Sequence, residues 1–84
     1  AGRSMVKVKK PNNPTQEDGK VVVEIVVDKN GKVIRATPGA RGSSTTNPTL
    51  YKISKEAALE ARFNVKADAP AEQKGTMTFV YILN

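Results

Sequence analysis

A chain of 84 residues has room for one small domain, and a domain of that size hides only about 60% of the surface its unfolded chain exposes. It contains neither cysteine nor histidine, which excludes thiol nucleophiles, disulfides, imidazole bases and nearly every zinc or copper site. Fourteen Lys and Arg against eight Asp and Glu leave a net charge of +6, which draws anionic partners in general and names none in particular. Nucleic acid would call for clustered cations interleaved with stacking aromatics. Here the aromatics are only Tyr51, Phe63, Phe79 and Tyr81, and the cations run from Arg3 to Lys74, so a solvated basic surface is the better reading and nucleic acid is not expected as a partner. The longest apolar run, VVVEIVV, is interrupted by Glu24 and falls far short of the ~20 residues that cross a bilayer. Cysteine usage does not choose between cytoplasm and periplasm.

Residues 1–18 form an extended amino-terminal segment divided at its prolines. MVKVK, residues 5–9, alternates as a short strand does, with Val6 and Val8 on one side and Lys7 and Lys9 on the other. PNNP then breaks regular hydrogen bonding. A frayed terminus is the alternative for this segment. Residues 19–84 carry the domain.

From Lys20 to Asp28 the sequence is dense in β-branched residues, and the two-residue period puts Val21, Val23, Ile25 and Val27 on one face, the core side. Val22, Glu24, Val26 and Asp28 share the other face. Asp28, Lys29, Asn30 and Gly31 supply a tight hairpin turn, and the return strand, Lys32 to Thr37, stops before Pro38. The loop GARGSSTTN that follows lacks the spacing of a phosphate-binding loop, because Gly42 sits three positions after Gly39 and precedes two serines. It reads as a plain connection.

Asn47 followed by Pro48 is an N-cap and first-turn proline, and it opens a helix to about Arg62. Leu50, Ile53, Ala57, Ala58 and Ala61 fall on one stripe; Lys52, Lys55, Glu56, Glu60 and Arg62 fall opposite. Leu59 stands among the charges without an evident role, and Phe63 anchors the helix end. A polar stretch around Pro70 leads to the final strand, Gly75 to Leu83. There Met77, Phe79, Tyr81 and Leu83 point to the helix-covered side, and Thr76, Thr78, Val80 and Ile82 point away.

The order strand, strand, helix, strand and the right-handed crossover rule predict an α+β fold. It comprises a small antiparallel sheet of three strands, in the order second, first, last, with one helix on one face; MVKVK is a candidate fourth strand. The two sheet edges differ. The return strand carries Lys32 and Arg35 and ends at a proline, the usual guards against pairing, whereas the nine residues after Lys74 have neither charge nor proline. Such an edge is either covered inside the molecule, with MVKVK as the obvious cover, or open to a partner strand.

These residues carry a resemblance. P…QEDGKVVVEIVVDKNGKVIRA, then AALEARF, then KGTMTFVYIL together resemble the C-terminal domain of TonB, the energy transducer of Gram-negative envelopes, from about Pro14 to Leu83. Asn13-Pro14 stands where that family often has Tyr-Pro, and Val65 where it often has proline, departures that bear on the finer grouping more than on the fold; the long PGARGSSTTN loop makes the resemblance one to a divergent branch. The resemblance implies a non-catalytic periplasmic domain on a tether from the inner membrane, where the parent meets its energising complex. It implies that Thr76, Met77, Thr78, Phe79, Val80, Tyr81 and Ile82 dock a segment of an outer-membrane TonB-dependent receptor by strand addition, serving nutrient uptake without a cofactor. Homodimers through the same strands are a further implication. The alternative is a structural or assembly module of the cell envelope whose edge is closed internally or by a second copy. An enzyme is not expected: Glu24, Asp28, Glu56 and Glu60 are carboxylates without a cleft to share, and Glu56 and Glu60 lie on a helix surface near Lys52.

Overall fold

The computed structural model describes residues 5–7, 11–65 and 71–83. Along the chain run β1 (Met5–Lys7), β2 (Gly19–Asp28), β3 (Val33–Pro38), α1 (Pro48–Glu60), β4 (Arg62–Phe63) and β5 (Glu72–Tyr81). The main sheet is antiparallel throughout, in the order β3-β2-β5, so the predicted α+β arrangement and strand order are the ones observed. No helix among the described residues is long and apolar enough to cross a membrane.

The β2-β3 turn differs in detail from four interchangeable turn residues. Asp28 Oδ1 accepts from the backbone N–H groups of Asn30 and Lys32, both at 2.9 Å, which folds the corner around one carboxylate. The Gly31 N–H then closes the turn on Asp28 O at 3.0 Å. Within the turn only Gly31 takes positive φ, at 84°, while Lys29 and Asn30 do not.

Val21, Val23, Ile25 and Val27 form the core row of β2, with Val33 and Ala36 on one side and Met77, Phe79 and Tyr81 on the other, as the alternation predicts. Leu50, Ala57, Ala58 and Ala61 of the helix segment close over them. Alanines at the contact bring the helix close to the sheet, and Ile53 and Leu59 pack half-buried against the same cluster. Leu59 therefore has a role that a single helical stripe does not reveal. On the opposite face Val22 and Val26 are each only 8% exposed. Val26 stands between Arg35 and Lys74 in the neighbouring strands, whose aliphatic stems can lie along it while their charges stay in water.

Four boundaries move relative to the sequence reading. The return strand spans Val33–Pro38, so it takes in the proline expected to stop it, and Lys32 stands outside it, bridged to Arg62. The helix ends at Glu60, because Ala61 is extended and Arg62 turns back to donate from Nη1 to the carbonyls of Leu59 and Ala61, at 3.2 and 2.9 Å. The last strand starts at Glu72 and ends at Tyr81, so the alternation fails at Leu83, which is 48% exposed and lies off the core. The fourth change concerns MVKVK. Met5–Lys7 does form a strand, but it pairs with Arg62–Phe63 as a separate two-stranded ladder, and no fourth strand joins the main sheet among the described residues. Lys9 lies outside the described residues.

The connection from Gly39 to Thr45 does more than link elements. β3 is shorter than β2 and its ladder stops at Val23, and the loop takes over from there. Ala40 N donates to Val22 O at 3.0 Å, Ser43 Oγ accepts from Val22 N at 2.9 Å, and Ser44 exchanges bonds with Lys20 through its N–H and its Oγ. Past Pro38, the last residue of β3, loop N–H groups and serine hydroxyls continue the pairing where the strand ends.

Ser54 is fully buried on α1, where a polar residue was not expected, and its Oγ lies 2.7 Å from the Tyr81 hydroxyl. Burial pushes the Tyr81 phenol above its ordinary value of 10.0, against a smaller opposing effect of the Ser54 bond. The neutral phenol is thus the form the fold prefers. Its contribution is complete below the unfolded value and declines as pH rises through it toward the raised folded value. Tyr81→Phe is expected to cost about 1–3 kcal/mol by leaving Ser54 unpaired. It should also remove part of the alkaline loss of stability, which urea titrations of both proteins at neutral and high pH would measure.

Candidate functional site

β5 is an edge strand. All ten of its residues pair with β2, from Gly19 opposite Tyr81 to Asp28 opposite Glu72, and among the described residues no strand pairs with its other flank. Within the predicted docking stretch, Met77, Phe79 and Tyr81 are buried on the helix side and Thr76, Thr78, Val80 and Ile82 are exposed. The seven residues thus divide in function. Three fix the strand to the core, and four present side chains to the outside, with Val80 and Ile82 leaving large apolar surface in water at 48% and 63% exposed.

The amino-terminal segment borders the carboxy-terminal end of this edge. Pro11 to Asn13, Thr15 and Gln16 face Val80 to Leu83 across an open groove of about 530 Å³. Asn13 anchors the segment. Its Oδ1 accepts from Thr15 N at 2.9 Å in an Asx turn, and its Nδ2 donates to Glu17 O at 2.9 Å and more distantly, at 3.4 Å, to Ile82 O. Pro11 and Asn12 also border Ile53, Glu56, Ala57 and Glu60, so the segment lies beside both the helix and the end of β5. An Asn-Pro-Thr run carries the signal for such a turn, but its long-range anchor is legible only in three dimensions.

Glu17 ties the segment to the start of the helix. Its Oε2 accepts from Thr45 Oγ1 at 2.5 Å and its Oε1 from Asn47 Nδ2 at 3.1 Å, while Asn47 Oδ1 caps the N–H groups of Thr49 and Leu50. The predicted cap is therefore one node of a larger network. Thr45 foremost and Asn47 second hold the Glu17 carboxyl below its ordinary 4.5. With a lowered folded value, the contribution is present above the unfolded value and is lost as pH falls through it toward the folded one. Glu17→Gln should flatten the acid limb of the stability profile as pH falls through and below the ordinary carboxylate value of 4.5. Denaturation midpoints across that range would check this.

The carboxylates weighed for chemistry remain apart in role. Glu24 is exposed on the open sheet face, Asp28 is engaged in the turn, and Glu56 and Glu60 are exposed on the helix. Among the described residues no group of three or more acidic side chains is placed to hold a metal ion. Along its outer flank β5 has no strand partner among the described residues, and an apolar margin of Val80 and Ile82 lies at its end.

No protein-family model matches this chain, and no curated protein or solved structure matches it either.

Proposed function

We propose that the chain is a non-catalytic protein-binding domain of the kind its sequence resembles in TonB, working in the periplasm. It takes up a segment of an outer-membrane receptor as an added strand on β5 and passes on energy for nutrient uptake, its parent being tied to an energising complex in the inner membrane. The observation that carries this reading is the outer flank of β5, without a strand partner among the described residues and free of charge and proline from Gly75 onward. Main-chain pairing suits a domain that serves partners of differing sequence, since it makes few demands on side chains. The net charge of +6 would speed encounter with acidic partners.

Titration of isotope-labelled protein with a Ton-box-type peptide should shift the amides of Met77 to Tyr81. A response confined to the helix overturns the reading. A second reading, an envelope assembly module that closes this edge with another copy of itself, draws on the same exposed Val80 and Ile82. In that case the β5 amides are protected from exchange without any peptide, and protection grows with protein concentration.

A further inference from the structure

Strand addition through main-chain groups alone leaves register loose, because every two-residue slip restores the same hydrogen bonds and the same faces. β5 carries few features to prevent slippage. On its open face stand, in order, Glu72, Lys74, Thr76, Thr78 and Val80, followed past the strand end by Ile82. Lys74 is the one cation in this row, and the two positions that flank it differ sharply. One step back lies Glu72, directly opposite Asp28 of β2; one step forward lies the uncharged Thr76. Behind Lys74, Val26 separates it from Arg35, so two cations share this row across the sheet. At the far end Val80 and Ile82 are large, apolar and exposed.

We infer that Lys74 sets the register of the added strand by pairing with a carboxylate on it, while a bulky apolar side chain further along the same face of that strand packs against Val80 and Ile82. The partner segment is therefore acidic at one end, uncharged through the middle and apolar at the other. A slip that moves its acid back meets Glu72, with Asp28 one strand behind it, and a slip forward loses the cation. Cross-strand neighbours stand about 5 Å apart, close enough for both discriminations. This inference rests on the proposed strand addition and names the ligand chemistry for the same edge.

The test uses ~nine-residue threonine and valine peptides with one leucine and one glutamate on the same face, spaced to match Val80 and Lys74, made in both chain directions. Companion peptides carry glutamine or lysine instead of the glutamate, or a glutamate moved by two residues. Binding is read by fluorescence anisotropy and by the amide shifts of β5. The matched glutamate peptide is expected to bind about three- to fivefold more tightly than the lysine and slipped versions, with the gap shrinking at high salt, as for an exposed ion pair. Lys74→Glu should reverse the order of the glutamate and lysine peptides. Equal binding by all versions, with β5 amides still shifting, overturns the role of Lys74 and leaves strand addition intact. No shift in β5 with any peptide overturns both.

Discussion

Gly31→Ala is expected to destabilise the protein severely, lowering the midpoint of urea denaturation more than any surface substitution. A Cβ built on Gly31 would lie 2.0 Å from the carbonyl oxygen of Phe63, and this is main chain that cannot rotate aside. The Phe63 carbonyl cannot easily withdraw, because the Phe63 N–H donates to Gly31 O at 2.8 Å and the adjoining Arg62 bridges to Lys32. Relief of the clash therefore breaks the junction between the hairpin turn and β4. An L residue at φ 84° adds about 1–2 kcal/mol of strain. Together with a lost hydrogen bond this comes to about 3 kcal/mol or more, a large part of the ~4–12 kcal/mol such a small domain commands. Gly75→Ala is the control. There the nearest atom to an added Cβ is Ile25 Cγ1 at 3.8 Å, ordinary contact, so the midpoint of urea denaturation should stay the same or rise slightly.

Phe79→Ala should cost about 3–5 kcal/mol, whereas Thr78→Ala, one residue earlier, should change stability by less than about 0.5 kcal/mol. Phe79 is 5% exposed and stands opposite Val21 beneath the helix, and truncation opens a cavity in the core. Thr78 faces outward beside Val22. The pair separates the two tasks of the edge strand. Loss of peptide binding in Phe79→Ala would follow from unfolding and say nothing about contact, while Thr78→Ala and Val80→Ser report on the side chains that a docked segment can touch. Thermal denaturation of each variant, read before any binding experiment, checks the division.

The hairpin, the N-cap and the strand order were legible in the sequence because each depends on local chemistry: a β-branched run, a glycine at the one left-handed position, asparagine before proline. Elements set by distant contacts were not. Ser54 lies between residues of the apolar stripe, and nothing nearby in sequence announces that Tyr81 will meet its hydroxyl. Leu83 continues the alternation of the last strand by sequence, but the ladder ends at Tyr81 once Gly19 has no earlier strand residue to pair with it. Arg62 and Phe63 read as the last turn of a helix, and they become extended because Gly31, Lys32 and the Met5–Lys7 strand compete for their main-chain groups. For the candidate site, the uncharged run from Gly75 was visible from the start. The neighbouring wall of Pro11 to Gln16 was not, since it depends on Asn13 finding Glu17 and Ile82.

The small ladder between Met5–Lys7 and Arg62–Phe63 bears on what happens when the amino end is pulled. Along the chain from that end come two residue pairs first, then the Asn13 and Glu17 bonds, and only afterwards the ten-pair seam between β2 and β5. With two pairs against ten, the amino-terminal ladder is the weaker seam and should open before β5 leaves β2. In the proposed function, this places a short seam between the amino end and the strand that would receive a partner.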